Sequence, residues 1–350
     1  MLTSTELVST VEDLPDDVEA VSAWLHERGH TDGLPVVPPT RERVLRMLTG
    51  TTRDPAASLG TVPPTNGAAT VEKLAINAVM AGCRPEYLPV VLTAFDLLLE
   101  PGFQLAGMQP TTNPLTPMLI VNGPIRRRIG LNCSTGVMGP GWQANATIGR
   151  AVRLALINLG GALPGEVDKC TQGFVGKYTL CVGENEEDGP WAPLHTERGF
   201  AADQDVVTVV GVNAAINIHD SSDDWRDVVK TLCGSLPSLG TPNVVDPHAT
   251  PVLALNPLHA RILSDGGFGK AELTRHLVEH TTLPPDALSE RRSHLRRAEG
   301  ADDYLVDGRI PIVNDPESLL VVVTGGMSGG HSCFLPAGHY GQARSATIAI

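Results

Sequence analysis

The feature that most constrains the fold of this chain is a set of short apolar segments that end in glycine-rich turns. These segments alternate with longer segments of helical periodicity. The clearest is 319–324, which runs into the glycine-rich stretch 325–330, and a second is 118–122, closed by Gly123 and Pro124. Apolar runs of this length are typical of buried strands. Strands that alternate with helices predict an α/β fold with mixed sheets flanked by helices. Further strands are predicted at 177–183, 206–212 and 252–255, and helices at 70–80, 147–159 and 270–280.

A chain of 350 residues is long enough for two lobes. Two strand-then-glycine units, 118–141 and 319–330, resemble each other weakly. Either a duplicated α/β lobe or the common pairing of strands with glycine loops explains this likeness. We predict a boundary near residue 200, with an N-terminal α/β lobe at 1–200 and a C-terminal α/β lobe at 201–350.

Composition and charge favour a cytoplasmic protein. The hydrophobic fraction of 42% suffices for a sizeable core, and the net charge of −13 disfavours nucleic acid and anionic membranes as partners. The N-terminal segment 1–17 is acidic and lacks the apolar centre of a signal peptide. No stretch approaches the ~20 apolar residues of a membrane span. We therefore expect neither nucleic acid nor a membrane as a partner. We also expect a small-molecule substrate and a homo- or hetero-oligomer.

Cys83 is the candidate reactive cysteine. One predicted helix stops at Gly82 and the next begins at Pro85, so the thiol would lie before a helix N-terminus and beside Arg84. Both features stabilise a thiolate. The alternative is a buried structural thiol, since the six cysteines are scattered and form no CxxC pair.

A histidine and a carboxylate follow the strand predicted at 177–183. Glu184 opens the acidic loop 184–188, and His195 comes shortly after it. A carboxylate that orients a histidine gives a general base. The sequence therefore predicts Cys83, His195 and Glu184 as catalytic residues, with a solvated acidic loop as the alternative.

Several polar segments are candidate substrate-binding elements. The turn 139–141 precedes a predicted helix on which Asn145 and Arg150 would hold an anion. The alternative is a plain tight turn followed by a capped helix that binds no ligand. Threonines and an asparagine in a proline turn, and the glycine loop after the last buried strand, are further candidates. These residues are Thr111, Thr112, Asn113, Gly325, Gly326, Gly329 and His331.

No cofactor is assigned. Neither GxGxxG nor the P-loop pattern occurs, so no dinucleotide fingerprint is seen. His331, Cys333 and His339 miss the compact spacing of common zinc sites, which leaves the presence of a metal open.

Four segments, 31–40, 70–87, 144–150 and 190–199, carry a resemblance to a known family. They resemble bacterial proteins associated with the UGSC-type (seleno)proteins, named after a Sec/Cys-Gly-Ser-Cys motif. The resemblance covers most of 30–200 and is weaker afterwards. The naming motif is absent, since the nearest string, 233–236, is Cys-Gly-Ser-Leu. The resemblance implies a bacterial protein and a small partner subunit that carries the Cys/Sec motif.

Three functions remain open. The first is an enzyme of lyase or hydrolase type acting on a small polar or anionic metabolite. The second is a thiol-redox enzyme, or the large subunit of one, that works with the small Cys/Sec partner. The third is a non-catalytic ligand-binding subunit in which the glycine loops hold the ligand.

Overall fold

The structure is a computed structural model that describes residues 7–246 and 248–349. The start of the acidic N-terminal segment, 1–6, lies outside the described residues. The α-helices are α1 (Val18–Glu27), α2 (Arg41–Leu48), α3 (Val71–Ala81), α4 (Leu88–Leu98), α5 (Leu105–Met108), α6 (Ile125–Arg128), α7 (Gln143–Gly160), α8 (Leu194–Glu197), α9 (Trp225–Ser235), α10 (Pro257–Asp265), α11 (Lys270–His280) and α12 (Glu290–Ala298). The strands are β1 (Ser58–Val62), β2 (Gly67–Thr70), β3 (Thr116–Asn122), β4 (Cys181–Gly183), β5 (Val206–Val212), β6 (Ile216–His219), β7 (Val252–Leu255), β8 (Thr282–Leu283), β9 (Ile310–Pro311), β10 (Leu320–Val323), β11 (His331–Leu335) and β12 (Arg344–Thr347).

Two four-stranded sheets with the same arrangement form the centre of the molecule. The first has the order β12-β5-β3-β4 and the second the order β6-β11-β7-β10. In the first, β3 is parallel to β4 and antiparallel to β5, which is antiparallel to β12. In the second, β7 is parallel to β10 and antiparallel to β11, which is antiparallel to β6. The predicted α/β class is confirmed, and the shared arrangement favours two related lobes.

The two sheets exchange a strand. After β5 the chain leaves the first sheet and enters the second as β6, and after β11 it returns to the first sheet as β12. The predicted division at residue 200 therefore does not separate the sheets, because β5 and β12 follow it in sequence and still belong to the first sheet.

The central strands are apolar on both faces because successive side chains point alternately into two different cores. Met118 and Ile120 of β3 face a core shared with Val252 and Ala254 of β7. Their neighbours, such as Leu119, face the helices of their own lobe. The molecule thus has four layers: α3, α4 and α7, then the two sheets, then α9, α10 and α11.

Local signals set the helix ends. The hydroxyl of Thr70 accepts a hydrogen bond from the N–H of Lys73 and caps α3, and Gly82 ends that helix at φ 87°. Asn256 caps α10 through the N–H of His259. The helix predicted from residue 147 begins earlier, as α7 at Gln143.

The edge strands of the two sheets meet at their carboxyl ends. The N–H of Asn185, just after β4, donates to the carbonyl of Val323 in β10 at 2.7 Å. The hydroxyl of Thr324 donates to the carbonyl of Gly183 at 2.8 Å. The ends of β4 and β10 are therefore in direct contact where the lobes meet, and the region around this junction is here called the cleft.

No single helix among the described residues is long and apolar enough to cross a membrane. One pair of consecutive helices, Pro85–Leu98 and Pro101–Met108, has the length and apolar composition of a span when taken together, but the pair is bent by 78° between them.

Candidate functional site

The candidate site is the cleft where β4 and β10 end. It is bordered by residues 131–137, here called the Cys133 loop, and by residues 325–330, here called the glycine loop. The carbonyl of Cys133 accepts the N–H of Gly325 at 2.9 Å and the hydroxyl of Thr324 at 3.3 Å. A Cβ at Gly326 would lie 2.3 Å from the hydroxyl of Thr135. The two loops are therefore in direct contact, and glycine at 326 permits it.

Asn145 holds the Cys133 loop against α7. Its amide oxygen accepts the N–H of Asn132 at 2.8 Å, and its amide nitrogen donates to the carbonyls of Asn132 at 3.0 Å and Cys181 at 3.1 Å. The residue is buried. The structure thus gives Asn145 a positioning role, where the sequence predicted substrate contact.

Arg126 lies under the cleft and is the cation nearest to Cys133. Its guanidinium is 3% exposed and pairs with Glu186 at 2.8 Å and Glu187 at 2.9 Å. Its Nη1 also donates to the carbonyl of Glu184 and lies 3.8 Å from the Sγ of Cys133. Burial alone would raise the pKa of Glu187, but the hydrogen bonds and charge of Arg126 hold that pKa below its usual value.

Cys133 is the half-buried thiol of this cleft. Burial raises its pKa above the ordinary 9.0, and the nearby Glu187 adds to the rise, while the charge of Arg126 opposes it. The thiol is therefore protonated at neutral pH in the free protein.

Glu184 belongs to a buried network beside the cleft. Its Oε2 accepts the amide of Asn122 at 2.7 Å and the N–H of Leu194 at 2.8 Å. Its Oε1 lies 3.7 Å from the Nζ of Lys270, which pairs with Glu197 at 2.8 Å. Because Lys270 comes from α11 of the second lobe, this network ties the two lobes together.

The predicted pairing of His195 with Glu184 is absent from the arrangement. The Nδ1 of His195 lies 4.0 Å from Glu186, and its Nε2 is 3.4 Å from the carbonyl of Ala202. Its side chain is 0% exposed. His195 therefore has no surface with which to meet a substrate, and it packs inside the fold.

Cys83 lies outside the cleft. Its Sγ donates to the carbonyl of Thr147 at 3.3 Å, and burial raises its pKa to about 12. The helix predicted from Pro85 is present, since a 3₁₀ turn, Pro85–Tyr87, continues directly into α4 at Leu88. The structure nevertheless lacks the thiolate stabilisation that the sequence predicted, because burial outweighs the neighbouring positive charge.

Most other predicted binding residues make structural contacts. Arg150 forms a bidentate ion pair with Asp32 at 2.7 and 2.8 Å. The hydroxyl of Thr111 accepts the N–H of Asn113, and the carbonyl of Thr112 accepts the N–H of Thr171. These contacts shape loops and tie the segment after α1 to α7.

The glycine loop runs from the Cys133 loop to His331. Gly325 and Gly326 touch the Cys133 loop, while Gly329 lies beside His331. His331 is exposed, stacks on His219 with ring centroids 4.4 Å apart, and meets Asn217 at 3.1 Å. Of the predicted binding residues, Gly325 and Gly326 therefore border the cleft, whereas Gly329 and His331 lie at the other end of the glycine loop.

The second lobe has a buried histidine–serine pair at the end of β7, the strand equivalent to β3. The Nδ1 of His259 lies 2.8 Å from the hydroxyl of Ser332, and its Nε2 lies 2.9 Å from the carbonyl of Asp220. Burial lowers the pKa of His259, more than the charge of Asp220 raises it. Ser332 is buried, so this pair anchors β11 to α10.

Among the described residues, no group of three or more His, Cys, Asp or Glu side chains is arranged to hold a metal ion. His339, one of the loosely spaced candidates, instead pairs with Asp246 at 3.2 Å.

Sequence reasoning missed Arg126 and Cys133. A usable signal was the repeat of Asn at the end of the first strand of each lobe, Asn122 after 118–121 and Asn256 after 252–255. It marks equivalent strand ends, and Cys133 lies in the loop that follows the first of them.

Comparisons with family models, with curated proteins and with solved structures give no match to this chain.

Proposed function

We propose that this protein is an enzyme that acts on a small anionic metabolite in the cleft between the lobes, with Cys133 as its reacting thiol. The observation that carries the proposal is the 3.8 Å approach of Arg126 to the Sγ of Cys133 where β4 and β10 end. In α/β proteins, ligands bind at the carboxyl ends of strands. Cys133 thus takes the place of Cys83 as the proposed reacting residue, while the proposed substrate class, a small anionic metabolite, stays the same.

The glycine loop supports this proposal. In the part of the chain that the structure describes, the N–H groups of residues 326–329 donate no hydrogen bond. They lie on a loop in contact with the Cys133 loop. Free N–H groups stabilise negative charge on a bound anion or on a developing oxyanion.

The protonated thiol favours a lyase over a hydrolase. A thiol with a raised pKa suits a general acid, which protonates a carbanion or a leaving group. A hydrolase that uses a preformed thiolate needs a lowered pKa. The thiol would donate its proton to the substrate and regain one from water after product release.

The test is a substrate screen with matched cysteine variants. Mixtures of small carboxylates and hydroxy acids are incubated with the protein and followed by NMR for the loss of any component. We expect C133A to abolish turnover and C83A to retain it, with both variants giving the wild-type melting temperature. Turnover that survives in C133A would overturn the assignment of Cys133.

A second proposal is a thiol-redox subunit. All six cysteines are free, and the Cys133 loop contains no second cysteine, so the other thiol would come from a partner. The resemblance to proteins associated with the UGSC type supports such a partner. In this reaction the Cys133 thiolate attacks a partner disulfide, forms a mixed disulfide and releases the partner's second sulfur as a thiolate.

An oxidised peptide with a Cys-Gly-Ser-Cys sequence tests the second proposal. We expect a mixed disulfide at Cys133 in the wild type and none in C133A. Ligand binding without turnover, together with no mixed disulfide, would instead favour a non-catalytic binding subunit.

A further inference from the structure

A cavity separate from the cleft opens at the other end of β3. It has a volume of about 610 Å³ and lies between α1, the C-terminal half of α7 and the segment 162–178. Its walls include Ile157, Leu163 and Phe174, and Arg153 lines it as well. Cavities of this size with apolar walls and a few polar groups are typical of small-molecule sites.

Arg153 is a buried cation without a carboxylate partner. Its residue is 9% exposed, its Nε donates to the carbonyl of Lys177 at 2.8 Å, and its Nη2 donates to the hydroxyl of Thr116 at 3.1 Å. A guanidinium has five N–H donors, so three remain after these two bonds. No carboxylate of the described residues lies within 4.0 Å of it.

The two carboxylates that line the cavity are already paired. Asp168 forms an ion pair with Lys177, and Asp32 forms its bidentate pair with Arg150. The charges of these pairs cancel, so the charge of Arg153 is uncompensated. Burial lowers the pKa of Arg153, and the neighbouring carboxylates reduce that effect only in part. An uncompensated buried charge is unfavourable until an anion joins it.

We propose that this cavity binds a small organic carboxylate, with Arg153 holding the carboxylate group and the apolar walls holding its hydrocarbon body. A planar guanidinium with free donors matches a carboxylate. The apolar walls favour a ligand with a hydrocarbon part over a fully hydrated anion such as phosphate.

This site is distinct from the cleft. Arg153 bonds Thr116 at the start of β3, whereas the cleft lies beyond Asn122 at its end. A strand of this length separates the two positions by about 20 Å. The inference therefore does not rest on the proposed enzyme activity, and its test measures binding.

The experiment is a titration of the full chain with phenylacetate, with the neutral phenylacetamide and with inorganic phosphate, followed by protein NMR or calorimetry. We expect phenylacetate to bind, and the amide and phosphate to bind at least tenfold more weakly. Equal binding of phenylacetate and its amide would overturn the proposal. The absence of phenylacetate binding at 10 mM, a concentration that corresponds to a binding free energy of about 2–3 kcal/mol, would overturn it as well.

Two substitutions with opposite effects separate ligand binding from a structural role. R153Q removes the cation and should weaken phenylacetate binding at least tenfold. D168N leaves the shape but removes a negative charge, so binding should tighten severalfold. R53Q, in the exposed pair of Arg53 with Asp96, is the matched control and should bind as the wild type does.

A third variant covers the case in which R153Q does not fold. I157W places a larger ring in the cavity while keeping Arg153 and its hydrogen bonds. We expect it to melt cooperatively and to lose phenylacetate binding. Unchanged binding in a folded R153Q, or in I157W, would show that phenylacetate binds elsewhere and would contradict the proposal.

Discussion

The Nη1 of Arg126 lies 3.8 Å from the Sγ of Cys133, and the same guanidinium pairs with Glu187 at 2.9 Å. The thiol thus has a cation and an anion close to it. Burial raises its pKa, the cation lowers it, and the anion raises it again. The balance makes the reactivity of Cys133 adjustable through either neighbour.

Replacing Glu187 should make Cys133 more reactive. E187Q removes a negative charge that raises the pKa of the thiol, so the thiolate fraction at a given pH should increase. We expect the pH profile of iodoacetamide labelling at Cys133, read by peptide mass spectrometry, to move to lower pH. E42Q, a change at an exposed residue of α2, should leave the profile unchanged. An unaltered profile in E187Q would contradict the assigned electrostatics.

Cys83 should resist labelling in the native protein. Burial raises its pKa to about 12, so almost no thiolate is present at pH 8. We expect much slower alkylation of Cys83 in the native protein than in the urea-unfolded protein at the same pH. Native labelling of Cys83 at the unfolded rate would show that the thiol is accessible.

The Cys83 thiol should also make the free energy of unfolding depend on pH in the alkaline range. Its pKa is near 9.0 when unfolded and about 12 when folded. A raised folded-state pKa in an acidic group means that its contribution to stability is complete below pH 9 and is lost as the pH rises from 9 to 12. C83A should lose less free energy of unfolding than the wild type between pH 8.5 and pH 10.5. Urea titrations at the two pH values measure this, and equal losses would argue against the raised pKa.

The ion pair of Asp32 with Arg150 should contribute more to stability than that of Arg53 with Asp96. Asp32 and Arg150 have side chains that are 3% and 15% exposed, whereas those of Arg53 and Asp96 are 31% and 44% exposed. Breaking a buried pair costs about 3 kcal/mol, whereas exposed pairs are worth about 0–1 kcal/mol. R150M should therefore lower the free energy of unfolding by about 3 kcal/mol, and R53M by less than about 1 kcal/mol. Urea titration compares them, and similar losses would mean that Arg150 does not hold the segment after α1.

Local features of this fold could be predicted from sequence, and distant contacts could not. The helix predicted over 70–80 and its end at Gly82 depend on a few neighbouring residues, and both are confirmed. The partner of Arg150 lies 118 positions away, so its charge was interpreted as free for a substrate. Arg126 meets Glu184 across 58 positions, and nothing in the local sequence shows it.

The strand exchange was unpredictable for the same reason. Apolar alternation identifies a strand, but it does not say which of two equivalent sheets the strand joins. β6 follows a strand of the first sheet in sequence but joins the second sheet, and β12 follows a strand of the second sheet but joins the first. The likeness of the two lobes is visible in sequence because an asparagine recurs at equivalent strand ends. The exchange instead depends on packing at the crossing, where the chain passes from one sheet to the other.

Gly341 and Gly211 lie at that crossing, and the final prediction concerns them. The N–H of Gly211 donates to the carbonyl of Gly341 at 2.7 Å. Gly341 has φ 85°, and a Cβ there would lie 2.6 Å from the Cα of Gly211. G341A therefore combines a left-handed backbone, which costs about 1–2 kcal/mol, with overpacking, which costs about 1–3 kcal/mol.

G130A is the matched control for this substitution. Gly130 has φ 64°, and its Cβ would have nothing within 4 Å. It should lose only the backbone contribution, about 1–2 kcal/mol, whereas G341A should lose more and should also increase hydrogen exchange in β12. Exchange rates in β12 report directly on the returning strand, since it pairs only with β5 in the described sheet. Equal losses in the two variants, with β12 still protected, would mean that the crossing has room for a side chain and does not control the strand exchange.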